Sequence, residues 1–293
     1  MRSEKYTDKL ASSIRETESV ACIGLDPVPE RLPPAILENE DSLDQQILTF
    51  CKEVVDVTTP YAAAFKINTA FFEQLGARGW EMMEEFVEYI PEDKVVILDA
   101  KRGDIGNTAK AYARALFDAV GADAVTVNPL MGLETLESFV EEEWQGIYAL
   151  ACTSNPGAEQ FLKLPLQGGG TLSTAIAEAL AEFQKDPLVE GSVGLVVGAT
   201  QPEDAKAIIE LSGDAPLLIP GLGAQGGDVE AWVHLLQSYH GLPLFNSSRA
   251  ILYAYEEDDT GLSWQQATEI AALTFKNSLQ AITTHVIDSM ASS

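Results

Sequence analysis

Eight short apolar runs recur along the chain, each followed by a helical pattern, and this alternation limits the fold more than any other feature. The runs are Val20–Leu25, Ala62–Ile67, Val95–Leu98, Ala124–Val127, Ile147–Ala151, Val193–Val197, Leu217–Ile219 and Leu244–Asn246. Most are β-branched or small apolar residues without polar alternation, as strands of a parallel sheet covered on both faces require. Between the first two, Leu43, Ile47, Phe50, Cys51 and Val54 recur at the spacing of one helix face. "NTAKAYARALFDAVG" ends in Gly121, a helix C-cap, and "QPEDAKAIIELSG" opens on Pro and acids and closes on Gly. Eight β-then-α units predict an α/β fold, a (β/α)8 TIM barrel, forming a single domain over 1–293 with a short N-terminal helix. A doubly wound sheet is the alternative architecture. The seventh run is the shortest and is flanked by Pro216 and Pro220.

A barrel of this kind carries its chemistry at the C-terminal ends of the strands. The polar residues just past each run are Asp26; Lys66 and Asn68; Asp99, Lys101 and Asp104; Asn128; Thr153, Ser154 and Asn155; Thr200 and Gln201; and Asn246, Ser247, Ser248 and Arg249. Gathering them at one mouth is hard to explain by packing alone.

The densest of these sites is "VVILDAKRGDIGNT", where an apolar run ends in Asp99, Lys101, Arg102 and Asp104. Charges at a strand end are costly unless paired. Asp99 and Lys101 lie two apart, so on a regular strand they face the same way, and Lys66 ends the neighbouring strand. Alternating Lys and Asp hold each other charged. Such a row can deliver a proton from Lys101 while Asp99 presents negative charge beside it. An ion-pair network that merely closes the barrel end is the alternative, but apolar filling meets that need more cheaply. Asp104 lies past the strand. It either caps the next helix or projects into a neighbouring subunit's site.

After strand seven, "PGLGAQGGD" holds four glycines in seven residues, and Arg249 follows strand eight. Barrels bind phosphate on these two loops, where backbone N–H groups and a guanidinium converge on an anion. The histidines, His234, His240 and His285, stand away from strand ends, and no His/Cys/carboxylate set has metal-ligand spacing. There is no dinucleotide fingerprint after strand one, and "GGG" at 168–170 lacks a Walker lysine. These features predict a reaction free of cofactor and metal, run by lysine and aspartate on a phosphorylated substrate.

Net charge is −27, from 45 acids against 18 bases, which disfavours nucleic acid and anionic membranes as partners. Such an excess is also the balance of a protein adapted to high salt, where screening relieves self-repulsion. No run is long enough to span a membrane, and the polar N-terminus lacks a signal-peptide core. Cys22, Cys51 and Cys152 are odd in number and read as buried thiols of a cytoplasmic protein.

Taken together, the motifs resemble the orotidine 5′-phosphate decarboxylase family, in particular its longer, type 2 subgroup. "LDAKRGDIGNT" has that family's D-x-K-x-x-D-I-x-x-T pattern. "GLDP" at 24–27, "FKIN" at 65–68, "VNPLMG" at 127–132, "TSNPG" at 153–157, "PGLGAQGGD" at 220–228 and "SSRA" at 247–250 follow in the family's order. Leu130 departs from the subgroup, which carries an aromatic there. The resemblance implies decarboxylation of orotidine 5′-phosphate to UMP and CO2 in de novo pyrimidine biosynthesis. It implies Asp26 and Lys66 on the ribose hydroxyls and Asn68 among the substrate-binding residues. Asp99 would sit against the substrate carboxylate, and Lys101 would protonate C6. Asp104 and Thr108 would come from the partner of an obligate homodimer. Ser154 would read the pyrimidine edge, and Gln225, Gly226, Gly227 and Arg249 would hold the phosphate. Residues 158–190 would supply a helix and a lid.

The nearest alternative is a hexulose-phosphate synthase-type aldol lyase, which is metal-assisted and resembles this chain in D-x-K-x-x-D but uses an acid where Lys66 stands. A Schiff-base aldolase is opposed by the carboxylates, which keep a neighbouring lysine protonated. A non-catalytic nucleotide-binding barrel would not need Lys101.

Overall fold

All eight apolar runs form strands in the computed structural model, which describes residues 3–39, 42–198, 202–222 and 229–292. They are β1 (Ala21–Leu25), β2 (Ala64–Asn68), β3 (Val95–Arg102), β4 (Ala124–Val127), β5 (Gly146–Cys152), β6 (Ser192–Val197), β7 (Leu217–Pro220) and β8 (Pro243–Ser247). Each pairs in parallel with its successor, and β8 pairs with β1 through Ala21↔Phe245 and Cys22↔Asn246. That last pairing closes the sheet and excludes the doubly wound alternative. Helices cover the outside, so the strands are buried on both faces and need no polar alternation. Proline flanks do not shorten β7 below four residues, because its ladder to β8 runs from Leu217↔Pro243 to Pro220↔Asn246.

The helix Leu43–Thr58 buries Ile47, Phe50, Cys51 and Val54 as its period predicts, while Leu43, in the first turn, stays exposed. Gly121 and Gly213 end their helical segments at φ +90° and +60°, conformations that a Cβ disfavours. The triple glycine turns the chain at positive φ (Gly169 +95°, Gly170 +72°) before the Thr171 capping box that opens the helix Leu172–Phe183.

The short N-terminal helix, Tyr6–Thr17, lies at the end of the barrel where the strands begin. The Tyr6 and Tyr148 hydroxyls are 2.7 Å apart, and Lys9 Nζ meets Asp123 Oδ2 at 2.7 Å. Gly146 makes room, since a Cβ there would stand 2.8 Å from the Tyr6 ring. These contacts tie the helix to this end. The opposite end, where the strands finish, is left for chemistry.

Candidate active site

At that opposite end the strands bring four charged side chains into one row. Register places Gly24 beside Lys66 and Asn68 beside Asp99, so β1 and β2 finish near the level of Asp99, while β3 runs on to Arg102. Lys66 Nζ donates to Asp99 Oδ2 at 3.0 Å and stands 3.9 Å from Asp26 Oδ1. Lys101 Nζ donates to Asp99 Oδ1 at 2.6 Å. The row therefore reads Asp26, Lys66, Asp99, Lys101. Its middle is dry and its Lys101 end open: the Lys66 side chain is 5% exposed and that of Lys101 is 49% exposed.

Burial alone would discharge the inner groups. Burial presses the Lys66 ammonium down, but the carboxylates of Asp99 and Asp26 outweigh it and hold the amine well above its usual range. Burial likewise favours a neutral Asp99, yet Lys66 and Lys101 hold its carboxyl well below the usual range. A buried ion pair is seldom a gain over apolar packing of the same volume. Its presence here indicates a need for fixed charge rather than for stability.

Asp99 and Lys101 do not meet by the regular two-residue alternation that the sequence suggests. Lys101 has φ +47°, and the ladder to β4 slips between Leu98 and Arg102. This bulge turns the lysine back onto Asp99. Thr126, inside β4, takes the Lys101 N–H at 2.9 Å and donates its own O–H to Asp99 Oδ1 at 2.8 Å. Motif reading misses Thr126. The signal available for it is a lone hydroxyl in the apolar run "AVTV".

Around the row the backbones approach closely. A Cβ on Gly24 would lie 1.9 Å from Ser248 Oγ and 3.1 Å from Asn246 Oδ1, and one on Gly198 would lie 2.8 Å from the Ser154 backbone nitrogen. Asp26 Oδ1 and Asn246 Oδ1 are buried acceptors without a hydrogen-bond partner among the described residues. Both are suited to receive hydroxyl or amide donors from a ligand. The Asp26 loop is held by Tyr253, whose hydroxyl donates to the Asp26 carbonyl at 3.1 Å and accepts the Val28 N–H at 2.6 Å. Arg31 lies 3.9 Å over the Tyr253 ring and grips Glu256 at 2.9 and 2.6 Å. These contacts link the β1 loop to the chain just after Arg249. Tyr253 thus joins Thr126 as a residue that tertiary contacts, not motifs, bring to the site, whereas Asn246 is already marked by its place at the end of the eighth run.

The other expected site residues divide. Ser154 is half-buried at the end of β5 against Gly198. Asn68 ends β2, with Oδ1 accepting the Ala70 N–H at 3.2 Å. Arg249 is exposed and opens the short helix Arg249–Leu252 directly after β8. Gln225, Gly226 and Gly227 lie outside the described residues, as do Thr200 and Gln201. Asp104 does not join the row within one chain: its Oδ1 takes the Ile105 N–H at 2.8 Å, one residue before the helix Gly106–Ala113. Thr108 is exposed on that helix. Ile105, Leu130 and Met131, on the loops after β3 and β4, are apolar side chains exposed by 59%, 62% and 49%. Among the described residues no group of three or more His, Cys, Asp or Glu has metal-binding geometry.

Comparison with known proteins agrees with this geometry. A family model described as orotidine 5′-phosphate decarboxylase / HUMPS family matches residues 21–260. An orotidine 5′-phosphate decarboxylase of Haloarcula marismortui is 42% identical over 283 residues, spanning 94% of this chain and 98% of the relative. One from Dehalococcoides mccartyi is 38% identical over 269 residues, spanning 90% and 95%. The solved OMP decarboxylase of Leishmania donovani superposes with a TM-score of 0.79 at 30% identity, covering 96% of this chain and 99% of that one. With a closed parallel barrel, a Lys/Asp row at its mouth and relatives that match almost end to end, the chain belongs to the orotidine 5′-phosphate decarboxylase / HUMPS family.

Proposed function

We propose that this chain decarboxylates orotidine 5′-phosphate to UMP and CO2, a step of de novo pyrimidine biosynthesis, without cofactor or metal. The observation that carries the reading is the row itself, two ammonium groups and two carboxylates joined in one line at the strand ends.

The chemistry asks for such a row. Loss of CO2 breaks the bond between C6 and the carboxylate and leaves its electron pair on C6, in the ring plane, where no π system delocalises it. The Lys101 ammonium offsets that charge as it develops and transfers its proton to C6. The half-exposed amine then regains a proton from solvent. Asp99 lies against the substrate carboxylate and holds both lysines. Asp26 and Lys66 bind the ribose hydroxyls, and the Asp26 Oδ1 left without a hydrogen bond among the described residues supports this role. Asn68 assists, and Ser154 reads the pyrimidine edge. Arg249, Gln225 and the N–H groups of Gly226 and Gly227 hold the phosphate, whose binding energy helps close the site over the ring. Segment 158–171, ahead of the helix Leu172–Phe183, acts as a lid.

Asp104 and Thr108 of the partner subunit complete each site in this reading, making the active form a homodimer. The exposed apolar side chains Ile105, next to Asp104, and Leu130 and Met131, on the following loop, support it, because a second copy could bury them. We read the setting as cytoplasmic. All three cysteines are buried and none is in a disulfide, and burial pushes the Cys22 thiol up to about 12. No helix among the described residues is long and apolar enough to cross a membrane.

The test is to treat the purified protein with chelator, add orotidine 5′-phosphate and follow the loss of its ultraviolet absorbance. Activity lost to the chelator and restored by magnesium would favour the aldol-lyase alternative, in which an acid replaces Lys66. Arg249→Ala should lower kcat/KM about 100-fold or more with a smaller effect on kcat, since it removes a charge-assisted grip on phosphate. An unchanged kcat/KM would remove Arg249 from the site.

The pH dependence follows from the row. Asp99 has its folded value below its unfolded one, so its contribution is present above about pH 4 and lost as pH falls through the depressed value. Lys66 has its folded value above its unfolded one, so its contribution is complete below about pH 10 and lost as pH rises through the raised value. Neither changes charge between about pH 5 and 9. A kcat profile flat across that window is expected; a limb of unit slope near pH 7 would assign the reaction to another group.

A further inference from the structure

We infer that Thr126 is a positioning residue for the reaction, its single hydroxyl holding both the Lys101 backbone and the Asp99 carboxylate in the arrangement that presents the ammonium to substrate. The inference rests on the reading of Lys101 as proton donor.

Strands β3 and β4 pair at Leu98↔Val125 and again at Arg102↔Val127. Between those points Asp99, Ala100 and Lys101 of β3 stand opposite Thr126 alone. A bulge of this kind breaks the ladder and leaves backbone groups to be satisfied elsewhere. Here the Lys101 N–H finds Thr126 Oγ1 at 2.9 Å, and the same hydroxyl donates to Asp99 Oδ1 at 2.8 Å. One side chain thus accepts from the main chain of the lysine and donates to the carboxylate that grips its ammonium.

Two further observations point the same way. Lys101 sits at φ +47°, which a side-chain-bearing residue adopts only when its surroundings hold it there. Thr126 is 1% exposed in an otherwise apolar strand, where valine would fill the same space without a hydroxyl to satisfy. The hydroxyl is therefore present for its two hydrogen bonds. With it, Asp99 takes three donors, Lys66 on Oδ2 and Lys101 and Thr126 on Oδ1. Without it, the carboxylate can rotate and the bulge can relax toward ordinary strand geometry, carrying the amine off its line.

The test compares Thr126→Val, which keeps shape and loses the hydroxyl, with Thr126→Ser, which keeps the hydroxyl. Thr126→Ala, which differs from Thr126→Ser by the hydroxyl alone, replaces the valine variant if that one does not fold. Lys101→Ala is measured in parallel. Thr126→Val should lower kcat about 10- to 100-fold. UMP affinity should stay within about twofold, because UMP has no carboxylate for the row to face. Thr126→Ser should keep kcat within about threefold of the parent protein. A valine variant with unchanged kcat, a serine variant as impaired as valine or alanine, or UMP affinity falling in step with kcat would overturn the inference. Turnover retained by Lys101→Ala would overturn the reading of Lys101 and the inference with it. An inactive Lys101→Ala beside a fully active Thr126→Val would overturn the inference alone.

Discussion

Lys101→Ala is expected to lower decarboxylation by about 10⁴-fold or more while leaving UMP binding measurable. Two effects are lost together. A positioned general acid contributes about 10²–10⁴, and a preorganised charge facing a developing anion contributes about 10²–10³. Binding survives because the proposed site assigns phosphate and ribose to other residues, and because the Lys101 side chain is half exposed and no part of the core. Asp99 keeps Lys66 and Thr126 as donors in the variant, so its carboxylate is not left bare. Single-turnover decay of substrate absorbance and UMP titration check the two halves separately. Near-normal turnover would refute the role of Lys101.

A smaller but still large loss is expected for Asp104→Ala, for a different reason. Within one chain Asp104 is engaged with the adjacent Ile105 N–H and lies off the row. On the dimer proposed above, its effect on turnover acts across the subunit boundary. The Asp104→Ala variant should then lose kcat by at least about 100-fold, as removal of a charged group facing the reacting centre does. Mixing it with Lys101→Ala separates a shared site from a self-contained one. If Asp104 serves the neighbour's site, each mixed dimer holds one site with both residues intact, and random exchange restores about a quarter of full activity. If each chain completes its own site, the mixture stays inactive. Subunit exchange monitored by activity after co-refolding gives the answer, and an inactive mixture with proven exchange would sink the shared site.

Much of this molecule is legible from residue order. The eight strands stand out because a parallel strand covered on both faces must be continuously apolar, and runs such as "VVIL" and "AVTV" are. Strand ends locate the polar residues, so Asp26, Lys66, Asp99, Ser154 and Arg249 are identifiable before any coordinate is known. Other features have no local signature. Leu43 shares the helical period of Ile47 and Val54 but stays exposed, because it stands in the first turn, where its helix leaves the core. Tyr253 supports the Asp26 loop from 227 residues away, and Tyr6 meets Tyr148 across 142 residues. Thr126 resembles any strand threonine until β3 slips beside it.

The sequence by itself determined the barrel, the mouth at which its polar residues gather and the identity of the charged groups there, because period, residue type and strand-end position are properties of short segments. Only the tertiary structure decided how those charges are aimed. The left-handed turn at Lys101, the Thr126 hydroxyl that spans two strands and the burial that keeps Lys66 dry arise where separate segments meet. Hydrogen bonds and desolvation depend on distances in space, and spacing along the chain does not encode them.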